Sequence, residues 1–461
     1  MLRNGPVNIL DFQMMNASKT VIVLFEDDLR IEDNPALHHA CENYKTVICL
    51  FVYQENYLGR NLGSASKVFL HNVLKSFSTL LKNEYETNLT IRVGNKLEIL
   101  KEIASTIEVD AIYFNRSYTK AQIEFEKSVF ENFPKCDVNS FKGKLTFEPW
   151  EVSTLTGEPF KVFTPFSKAC LKKLEVMREI FPKPEKISSI GEIQSLTVED
   201  LNLLPKNEGK WHEDILRYWS FDYTKINDDF DTFLQTKLAF YADSRNDLSI
   251  GNSNISPYLR FGILSANACF QMASLKVGRY DNQFCLELLW REFAYHAMYY
   301  NQQIATHELR AEYSGFPWEN DGELLEKWQK GETGFDIVDA GMRELWQTGT
   351  MHGRTRMVVA SFLIKDLITD WKTGEQWFWD CLFDADPAVN PFSWQWVFGS
   401  GFDGAPYFRI FNPDLQRQRF DEKGKYCTKW LGNFYNIQRI VNHDFKKQVT
   451  LDKYKLLLNK L

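Results

Sequence analysis

The sequence predicts two halves of different architecture: an α/β N-terminal domain built on a doubly wound parallel sheet, and an all-α C-terminal domain. Two observations lead to this prediction. Short apolar runs alternate with helical stripes up to about residue 142, which is the pattern of a parallel sheet covered by helices. From residue 211 onward the apolar residues follow helical spacing instead. A chain of 461 residues has room for both domains.

The elements of the first half follow from its apolar runs and stripes. The predicted strands are Val21–Phe25, Thr46–Val52, Leu89–Val93, Ala111–Phe114 and Asp137–Phe141. The predicted helices are Asn34–Cys41, Ala65–Leu81, Lys96–Ile107 and Lys120–Phe133. Asp33 ahead of Pro35 is the helix-start signal for the first of these helices. The loop after the first strand, FEDDLRIEDN, has no glycine, so we do not expect a dinucleotide there.

The remaining boundaries rest on composition. Residues 1–19 are predicted to be an N-terminal extension, residues 20–142 the α/β domain and residues 211–461 the helical domain. Residues 143–210 mix Pro, Gly, Ser and charge with weak periodicity, so we expect a connector that runs over the surface between the domains. In the helical half, His352–Trp371 follows helical spacing, with Gly374 as its expected end.

Composition excludes several classes of protein. With 44% hydrophobic and 25% charged residues the chain is globular, and it has no apolar run long enough to span a membrane. The first twenty residues lack the features of a signal peptide. Eight scattered cysteines without a C-x-x-C pair fit a reducing cytoplasm and argue against zinc or an iron–sulfur cluster. The net charge is −7, so any DNA contact needs a local basic patch.

The stretch Asp384–Pro413 is the most unusual part of the chain. It reads DADPAVNPFSWQWVFGSGFDGAPYFRIFNP and mixes Pro and Gly with two Trp and six other aromatic residues. Such a mixture predicts an irregular segment packed against something large, flat and apolar, and the alternative is an aromatic-rich core loop. Gly399, Gly401 and Gly404 spell G-x-G-x-x-G, but an aromatic run precedes them and Pro406 follows, so we treat the dinucleotide motif as chance.

Two motifs offer polar groups at helix positions. In GNSNISPYLRFG, Gly251–Gly262, Ser256 before Pro257 is predicted to cap a helix, and such an N-terminus suits a phosphate. The alternative is a plain capped helix. In ELLWREF, Glu287, Trp290 and Arg291 share one helix face and could clamp and stack on a base. An exposed ion pair over a half-buried Trp is equally compatible with that spacing.

A third motif, MHGRTRM, carries two arginines on different helix faces. One of Arg354 and Arg356 could meet phosphate while the other meets a carboxylate such as Asp384, and the alternative is a surface helix with two solvated arginines. Trp318, Trp371 and Trp394 each lie near the end of an element. Spacing alone does not link them, and three separate core or rim tryptophans explain them as well.

Together these motifs resemble the photolyase/cryptochrome family, and within it the cyclobutane pyrimidine dimer DNA photolyases. The similarity runs from DDLRIEDNPAL to IVNHDFKK and is most specific in WREF, TGFDIVDAGMRELWQTGTMHGRTRM and DADPAVNPFSWQW…APYFRIFNP. The resemblance implies that the helical domain binds FAD in a bent shape. It also implies that reduced flavin, excited by blue or near-ultraviolet light, gives an electron to a pyrimidine dimer flipped out of DNA.

The resemblance assigns cofactor-binding positions. The residues implied to hold FAD are Tyr241, Asn252, Ser253, Asn254, Ile255, Ser256, Arg291, Arg356, Asp384, Ala385, Asp386 and Asn390. Where the family usually has Thr-Ser-Arg-Leu-Ser, this chain has Asn-Ser-Asn-Ile-Ser, so hydroxyls and amides replace an arginine. Asn390 matches the residue that faces flavin N5, where a neutral amide can accept a hydrogen bond. Plant-type cryptochromes carry an acid at that position.

The resemblance also assigns substrate and electron-transfer positions. The residues implied to contact the lesion or DNA are Arg245, Glu287, Trp290, Arg291, Gly353, Arg354, Met357 and Trp396. The residues implied to act in the reaction are Trp394, Trp371, Trp318, Asn390 and Glu287. The (6-4) photolyases usually have histidines at positions 353 and 357, which this chain lacks. The dimer photolyases usually have Asn at position 353, so one polar contact is missing here.

The resemblance leaves further expectations. A second, light-harvesting chromophore of folate, deazaflavin or flavin type is expected near YFNRSY, Tyr113–Tyr118, and Glu26 replaces a common arginine. The expected basic patch is Arg409, Arg417, Arg419, Lys423, Lys425 and Lys429. We expect a cytoplasmic monomer that binds ultraviolet-damaged DNA and no membrane. The rivals are a cryptochrome-type blue-light receptor and a flavin-free nucleic-acid-binding or scaffold protein.

Overall fold

The computed structural model describes residues 19–189, 191, 193–206, 210–250, 252–403, 409–433 and 435–458. Positions 1–18 of the predicted extension therefore lie outside the described residues, as do Gly251 and Gly404 of the two glycine motifs. Within the described part of the chain, none of the helices is long and apolar enough to cross a lipid bilayer.

The N-terminal half is built on the predicted parallel sheet. Its strands are β1 (Thr20–Phe25), β2 (Thr46–Tyr53), β3 (Thr90–Val93), β4 (Ala111–Asn115) and β5 (Asp137–Phe141). All pairings are parallel, and the order β3-β2-β1-β4-β5 is that of a doubly wound sheet. β1 is buried along its whole length because helices cover both faces of the sheet. The fold class predicted for this half is confirmed.

Helices join the strands of this sheet as the sequence predicts. They are α1 (Pro35–Asn43), α2 (Ser64–Tyr85), α3 (Lys96–Thr106) and α4 (Lys120–Asn132). The N-cap of α1 is Asn34, whose side chain accepts from the Leu37 backbone N–H at 3.1 Å. Asp33 instead forms an ion pair with Arg178, so it ties residues 143–210 to the sheet domain.

The C-terminal half is helical, as predicted. Its helices are α6 (Trp211–Leu216), α7 (Tyr223–Thr236), α8 (Tyr241–Ser244), α9 (Ser256–Arg260), α10 (Ala266–Val277), α11 (Gln283–Tyr300), α12 (Gly322–Lys330), α13 (Asp336–Thr348), α14 (Gly353–Ser361), α15 (Trp371–Cys381), α16 (Val389–Phe398), α17 (Pro413–Phe420), α18 (Lys425–Leu431) and α19 (His443–Leu458). Short 3₁₀ segments lie at Leu174–Val176, Glu199–Leu201, Leu238–Phe240 and Ala311–Tyr313.

The segment between the domains has structure of its own. It contains α5 (Phe163–Lys172), which the sequence analysis did not assign. Phe166 of this helix is 2% exposed and packs against Phe293 of α11, with ring centroids 5.0 Å apart. Part of the expected surface connector is therefore a core element of the helical half.

The prediction that Asp384–Pro413 is irregular throughout was wrong, because α16 occupies its middle. The helix tolerates Pro391 because that residue lies in the first turn, where a missing N–H leaves no hydrogen bond unmade. Gly399 ends the helix with a φ of 110°, in the left-handed region.

The prediction of a single helix over His352–Trp371 was also wrong, because α14 and α15 are separate helices. α14 passes into a π-helical turn at Phe362–Asp366, where the helix ends. α15 begins after Asp370, which caps it by accepting from Lys372 N–H at 3.0 Å. Gly374 therefore lies inside α15 rather than ending a helix. A Cβ at Gly374 would overlap the ring of Trp394, so the glycine lets that indole approach.

The loop after β1 joins the two domains. Asp27 forms a buried ion pair with Arg260 of α9 at 2.8 Å, and Arg30 donates to the backbone oxygen of Gly262 at 3.0 Å. Gly262 has a φ of 68°, and a Cβ there would overlap the backbone of Asp27. A loop that binds phosphate in dinucleotide folds therefore anchors the helical domain here.

Candidate active site

The helical half encloses a cavity of about 1480 Å³. It exceeds the roughly 300–1,000 Å³ that suits drug-sized ligands, so it has room for a large cofactor together with a second group. It brings together most of the residues that the sequence analysis assigned to cofactor or substrate. The assigned residues in its wall are Tyr241, Arg245, Asn252, Ser253, Asn254, Ile255, Ser256, Glu287, Trp290, Arg291, Gly353, Arg354, Arg356, Met357, Asp384, Asp386, Asn390, Trp394 and Trp396.

Three assigned residues are not in the cavity wall. Ala385 is buried beside it, and its backbone oxygen accepts from Arg260 Nε at 2.8 Å. Trp371 and Trp318 lie farther out along α15 and the segment before α12. Ala385 therefore stabilises the cavity wall through its backbone oxygen. The indoles of Trp318 and Trp371 lie outside the wall.

The segment Asn252–Ser256 forms one side of the cavity. The predicted cap is displaced by one position, because Ile255 occupies the N-cap and Ser256 is the first residue of α9. Asn254 has a φ of 55°, a left-handed conformation that Asn adopts more readily than most residues. The side chains of Asn252 and Ser253 are half-buried at this wall. Amides and hydroxyls thus collect where the family usually has an arginine.

Arg356 and Asp384 form the predicted ion pair in the cavity wall. Arg356 NH2 lies 2.9 Å from Asp384 Oδ2, and Arg356 Nε donates to the backbone oxygen of Met351 at 2.8 Å. Asp384 Oδ1 is buried and has no hydrogen-bond partner among the described residues. A bound group with N–H or O–H donors would satisfy that oxygen.

Asp386 is held from two directions. Its Oδ1 accepts from the backbone N–H groups of Ala388 and Val389 at 2.8 and 3.0 Å, which caps the start of α16. Its Oδ2 accepts from Tyr295 Oη at 2.7 Å. Burial, and then the Asp386 charge, raises the pKa of Tyr295 well above its ordinary value, so the phenol stays a donor.

Asn390 has a defined amide orientation. Its Nδ2 donates to the backbone oxygen of Glu375 at 3.1 Å and to Glu375 Oε1 at 2.8 Å. Both partners can only accept, so the NH₂ group faces Glu375 and the carbonyl oxygen faces the other way. Asn390 therefore offers an acceptor to a cofactor, as its assigned position requires.

Polar residues at the rim of the cavity are paired with one another. Arg245 forms an ion pair with Glu287, and Gln283 Nε2 donates to Glu287 Oε1 at 2.8 Å. Arg354 NH2 donates to Asn246 Oδ1 at 2.7 Å. Burial lowers the pKa of both Arg245 and Arg354 from the ordinary arginine value. These guanidiniums are therefore partly desolvated and poised for an anionic partner.

Apolar and small residues complete the rim. Trp290 stacks on Phe163 of α5 with ring centroids 3.7 Å apart and an interplanar angle of 9°. This contact fixes the indole as a flat wall of the cavity. A Cβ at Gly353 would meet no atom within 4 Å, so an asparagine would fit at that position.

Sequence reasoning missed several residues of the site. His352 is the N-cap of α14, with Nδ1 accepting from the Arg354 N–H at 3.1 Å, and burial followed by the Arg354 and Arg356 charges lowers its pKa to about 4. A His ahead of Gly at a helix start was the available signal. Glu375 and Asn246 carry no motif, so only the three-dimensional structure could identify them.

Helix α15 connects Trp394 with Trp371, because it carries Trp371 and contacts the ring of Trp394. Trp394 lines the cavity and its ring rests on Gly374. Trp371 lies one turn before Gly374 on α15, and both indoles are buried, at 2% and 0% exposed. Trp371 Nε1 donates to Glu308 Oε1 at 3.1 Å. Both tryptophans are therefore buried and tied to the same helix, Trp371 as its first residue and Trp394 through its contact with Gly374.

The segment that follows Trp318 is bonded to the residues just before α15. The backbone N–H of Glu319 donates to the Ile368 oxygen at 2.9 Å, and Asp370 N–H donates to Asn320 Oδ1 at 2.9 Å. These two bonds hold the segment after Trp318 against the residues that precede Trp371. Trp318 is half-buried, whereas Trp371 and Trp394 are buried.

Comparisons with known proteins agree with this geometry. A family model described as the FAD binding domain of DNA photolyase matches residues 284–458, and one described as DNA photolyase matches residues 21–185. A deoxyribodipyrimidine photo-lyase of Agrobacterium fabrum is 35% identical over 92% of this chain and 89% of its own length. The chain belongs to the DNA photolyase family.

Both branches of this family resemble the chain. The crystal structure of a bacterial class III photolyase from Agrobacterium tumefaciens superposes with a TM-score of 0.89 and 32% identity, covering 96% of this chain and 98% of the other. Cryptochrome-2 of Arabidopsis thaliana is 31% identical over 90% of this chain and 71% of its own length. The resemblance stated from the motifs is confirmed, and so are the helical FAD-binding domain and the family's fold.

Proposed function

We propose that this chain is a deoxyribodipyrimidine photolyase that splits cyclobutane pyrimidine dimers in ultraviolet-damaged DNA. The observation that supports this most is that one cavity joins the cofactor side chains Asp384, Asp386 and Asn390 to the substrate side chains Glu287 and Trp290. Its volume of about 1480 Å³ leaves room for both ligands. A flavin and a flipped base could thus meet without protein between them.

The residues present fit FAD. Asn252, Ser253 and Ser256 offer uncharged donors for phosphate, and Arg291 adds a cation to the same wall. Asp384 Oδ1, which has no partner among the described residues, suits an N–H or O–H donor of the cofactor. Bound in its reduced form, FAD supplies the light-excited electron that splits the dimer.

The inner side chains orient the cofactor without moving. Arg356 neutralises Asp384, and Asp386 is fixed by α16 and Tyr295, so neither carboxylate needs to rearrange on binding. With its NH₂ group bonded to Glu375, Asn390 would offer only its carbonyl oxygen to a bound flavin, as an acceptor that supplies no proton. This amide favours repair over the receptor function, because plant-type cryptochromes have an acid at the position.

The rim side chains bind the lesion. Glu287 hydrogen-bonds a base edge once Arg245 turns from it toward the DNA backbone, and Arg354 leaves Asn246 in the same way. Trp290 and Trp396 form flat walls for the flipped bases. Arg419, Lys423, Lys425 and Lys429 are exposed, and Lys425 and Lys429 also line the cavity. These cations bind phosphate, so affinity should fall with salt.

Trp394, Trp371 and Trp318 carry electrons from the surface to the oxidised cofactor. We expect Trp394→Phe to slow photoreduction strongly, since phenylalanine is much harder to oxidise than tryptophan. Repair by enzyme reduced beforehand with dithionite should stay near that of the wild type. Trp328→Phe, at a buried indole that contacts Trp394 with centroids 6.4 Å apart, is the matched control. A large loss of repair in pre-reduced Trp394→Phe would contradict this assignment.

Illumination tests the whole proposal. Purified protein with reduced flavin is mixed with an oligonucleotide that carries one cyclobutane dimer, illuminated, and scored for dimer loss by chromatography. We expect repair in the light and none in the dark. No repair by fully reduced protein would favour the cryptochrome-type receptor. Protein that releases no FAD on denaturation would favour the flavin-free binding protein.

A second chromophore is proposed near Tyr113–Tyr118 and outside the sheet crevice. That crevice, at the carboxyl ends of β1 and β4, is filled by the buried Glu26–Lys96 ion pair. The exposed ring nearby is Trp150, 45% exposed, whose centroid lies 6.4 Å from that of Tyr118. Trp150 can stack on a planar folate, deazaflavin or flavin. Trp150→Ala should release FAD alone in mass spectrometry, and retention of a second chromophore would contradict this site.

We also propose a cytoplasmic monomer. The eight cysteines are free thiols, which fits a reducing compartment. Sedimentation of the protein with and without dimer-containing DNA tests the monomer, and a dimer of proteins would contradict it.

A further inference from the structure

Arg60 belongs to the sheet domain, yet it reaches the cavity wall through Glu375. It lies in the loop between β2 and α2, and its NH1 and NH2 donate to Glu375 Oε2 and Oε1 at 2.9 and 2.6 Å. Its guanidinium also stacks on Trp379, 3.3 Å from the ring centroid. The Glu375 side chain is only 2% exposed, so this bidentate pair is the cationic partner of a buried carboxylate.

The same carboxylate sets the amide of Asn390. Glu375 Oε1 accepts from Arg60 and from Asn390 Nδ2 together, at 2.6 and 2.8 Å. A reversed amide would place the Asn390 carbonyl against Glu375 Oε1 and against the backbone oxygen of Glu375, which now accepts from Nδ2 at 3.1 Å. These two contacts exclude the reversed orientation.

We propose that Arg60 is a positioning residue that fixes the Glu375 carboxylate and thereby holds the Asn390 carbonyl toward the flavin. This inference rests on the proposed function, because it needs FAD in the cavity. Without Arg60 the buried carboxylate has no cationic partner, and it leaves its place beside Asn390. The amide then keeps only its 3.1 Å bond to the backbone oxygen of Glu375, so its carbonyl is held less firmly toward the flavin. A less firmly held acceptor at flavin N5–H would destabilise the reduced cofactor.

Other contacts hold the Arg60 loop, so the domains stay joined when the arginine is replaced. Trp379 Nε1 donates to the Asn61 oxygen at 2.8 Å, and Ser64 N–H and Oγ donate to Asp380 Oδ1 at 2.7 and 2.8 Å. Gly63 packs so closely on the Trp379 backbone that a Cβ would overlap it. Arg60 can therefore be tested for its effect on the flavin separately from domain docking.

The test compares Arg60→Met, Arg60→Lys and Arg178→Met in the full chain. Arg178 pairs with Asp33 at a similar burial, 12% and 2% exposed against 22% and 2% for Arg60 and Glu375, and does not line the cavity. The readouts are FAD content, thermal stability, the midpoint potential of the flavin, and its reoxidation rate in air after photoreduction at one fixed pH. Methionine preserves the packing on Trp379, and lysine preserves the charge.

We expect Arg60→Met to retain FAD and to reoxidise about tenfold faster, the change that one lost hydrogen bond produces. Arg60→Lys should fall between, and Arg178→Met should match the wild type. Wild-type rates and potentials in Arg60→Met would overturn the inference, whereas wild-type protein without FAD would overturn the proposed function instead.

Glu375→Ala tests the inference even if Arg60→Met does not fold. It removes the side-chain acceptor of Asn390 Nδ2, so this variant alone should show the fast reoxidation. The Arg60→Lys exchange in the Glu375→Ala background should add nothing further. Additive effects, or slow reoxidation in Glu375→Ala, would contradict action through Glu375.

Discussion

The inner wall of the cavity and its rim both carry polar and charged side chains, but the structure holds these side chains in different ways. On the inner wall, Asp386 and Asn390 are buried and each makes two or more hydrogen bonds to fixed groups. At the rim, Arg245 and Glu287 are 26% and 37% exposed and pair mainly with each other. A resident cofactor benefits from a wall that does not rearrange, whereas DNA must displace whatever the rim holds.

This difference indicates which substitutions should affect FAD binding and which should affect DNA binding. Changes on the inner wall remove fixed partners in a buried place, so they should cost stability and FAD together. Changes at the rim remove partners that water can replace, so they should alter DNA binding with FAD unchanged.

Asp386→Ala should produce the largest effect. It leaves Tyr295 Oη and the start of α16 without their acceptor, and we expect a loss of about 3–5 kcal/mol in unfolding free energy and little bound FAD. Urea unfolding and the flavin absorbance of purified protein measure both. Asp386→Asn is the control, because its amide oxygen can still accept from α16. Full FAD content in Asp386→Ala would show that the inner wall is dispensable.

Acid should weaken the wall through His352. Its pKa is about 4 when folded, below the ordinary histidine value, so the unfolded chain binds the extra proton first as the pH falls. The contribution of neutral His352 to the free energy of unfolding should be fully present above pH 6.5. The free energy of unfolding should then fall by up to about 3 kcal/mol by pH 4. His352→Asn preserves a cap without a titrating group and should lose less stability over this range. An identical pH dependence in both proteins would contradict the assignment.

Glu287→Ala should act on the substrate alone. Removing one hydrogen bond to a base edge should weaken binding of a dimer-containing oligonucleotide by about 1–3 kcal/mol, with FAD content unchanged. Fluorescence anisotropy at fixed salt measures the affinity. Gln283→Ala, which removes the neighbour of Glu287 and leaves the carboxylate, is the matched control. Apoprotein from Glu287→Ala would mean that this carboxylate supports the fold.

Gly353→Asn should have the smallest effect, and it should be a gain. The position has open space, and an added amide restores a polar contact that dimer photolyases usually have. We expect lesion affinity to rise by up to about 1 kcal/mol. Gly353→Ala fills the same position without an amide and should leave affinity near the wild type. A loss of affinity in both variants would show that the lesion needs this space.

The sequence was most informative where one interaction dominates. β1 and β2 were predicted to within two residues because both are continuous apolar runs buried between helices. Pro391 misled the prediction of α16 because a proline in the first turn looks the same in sequence as one that breaks a helix.

The site was partly visible in the sequence and partly not. Arg356 and Asp384 are named by motifs, so their pairing could be anticipated. Arg60 and Glu375 lie 315 positions apart and belong to no motif, so nothing local links them. Gly374 was interpreted as a helix end because its neighbour in space, Trp394, is on another helix. Tertiary contacts of this kind leave no local pattern.

Absorption of the flavin during titration with a dimer-containing oligonucleotide tests the central claim most directly. If the inner wall holds FAD and the rim holds the lesion in one cavity, binding the dimer must change the surroundings of the flavin. We therefore predict a saturable shift in the flavin spectrum with the damaged oligonucleotide and none with its undamaged counterpart. Tight binding of the damaged strand without any spectral change would contradict the account.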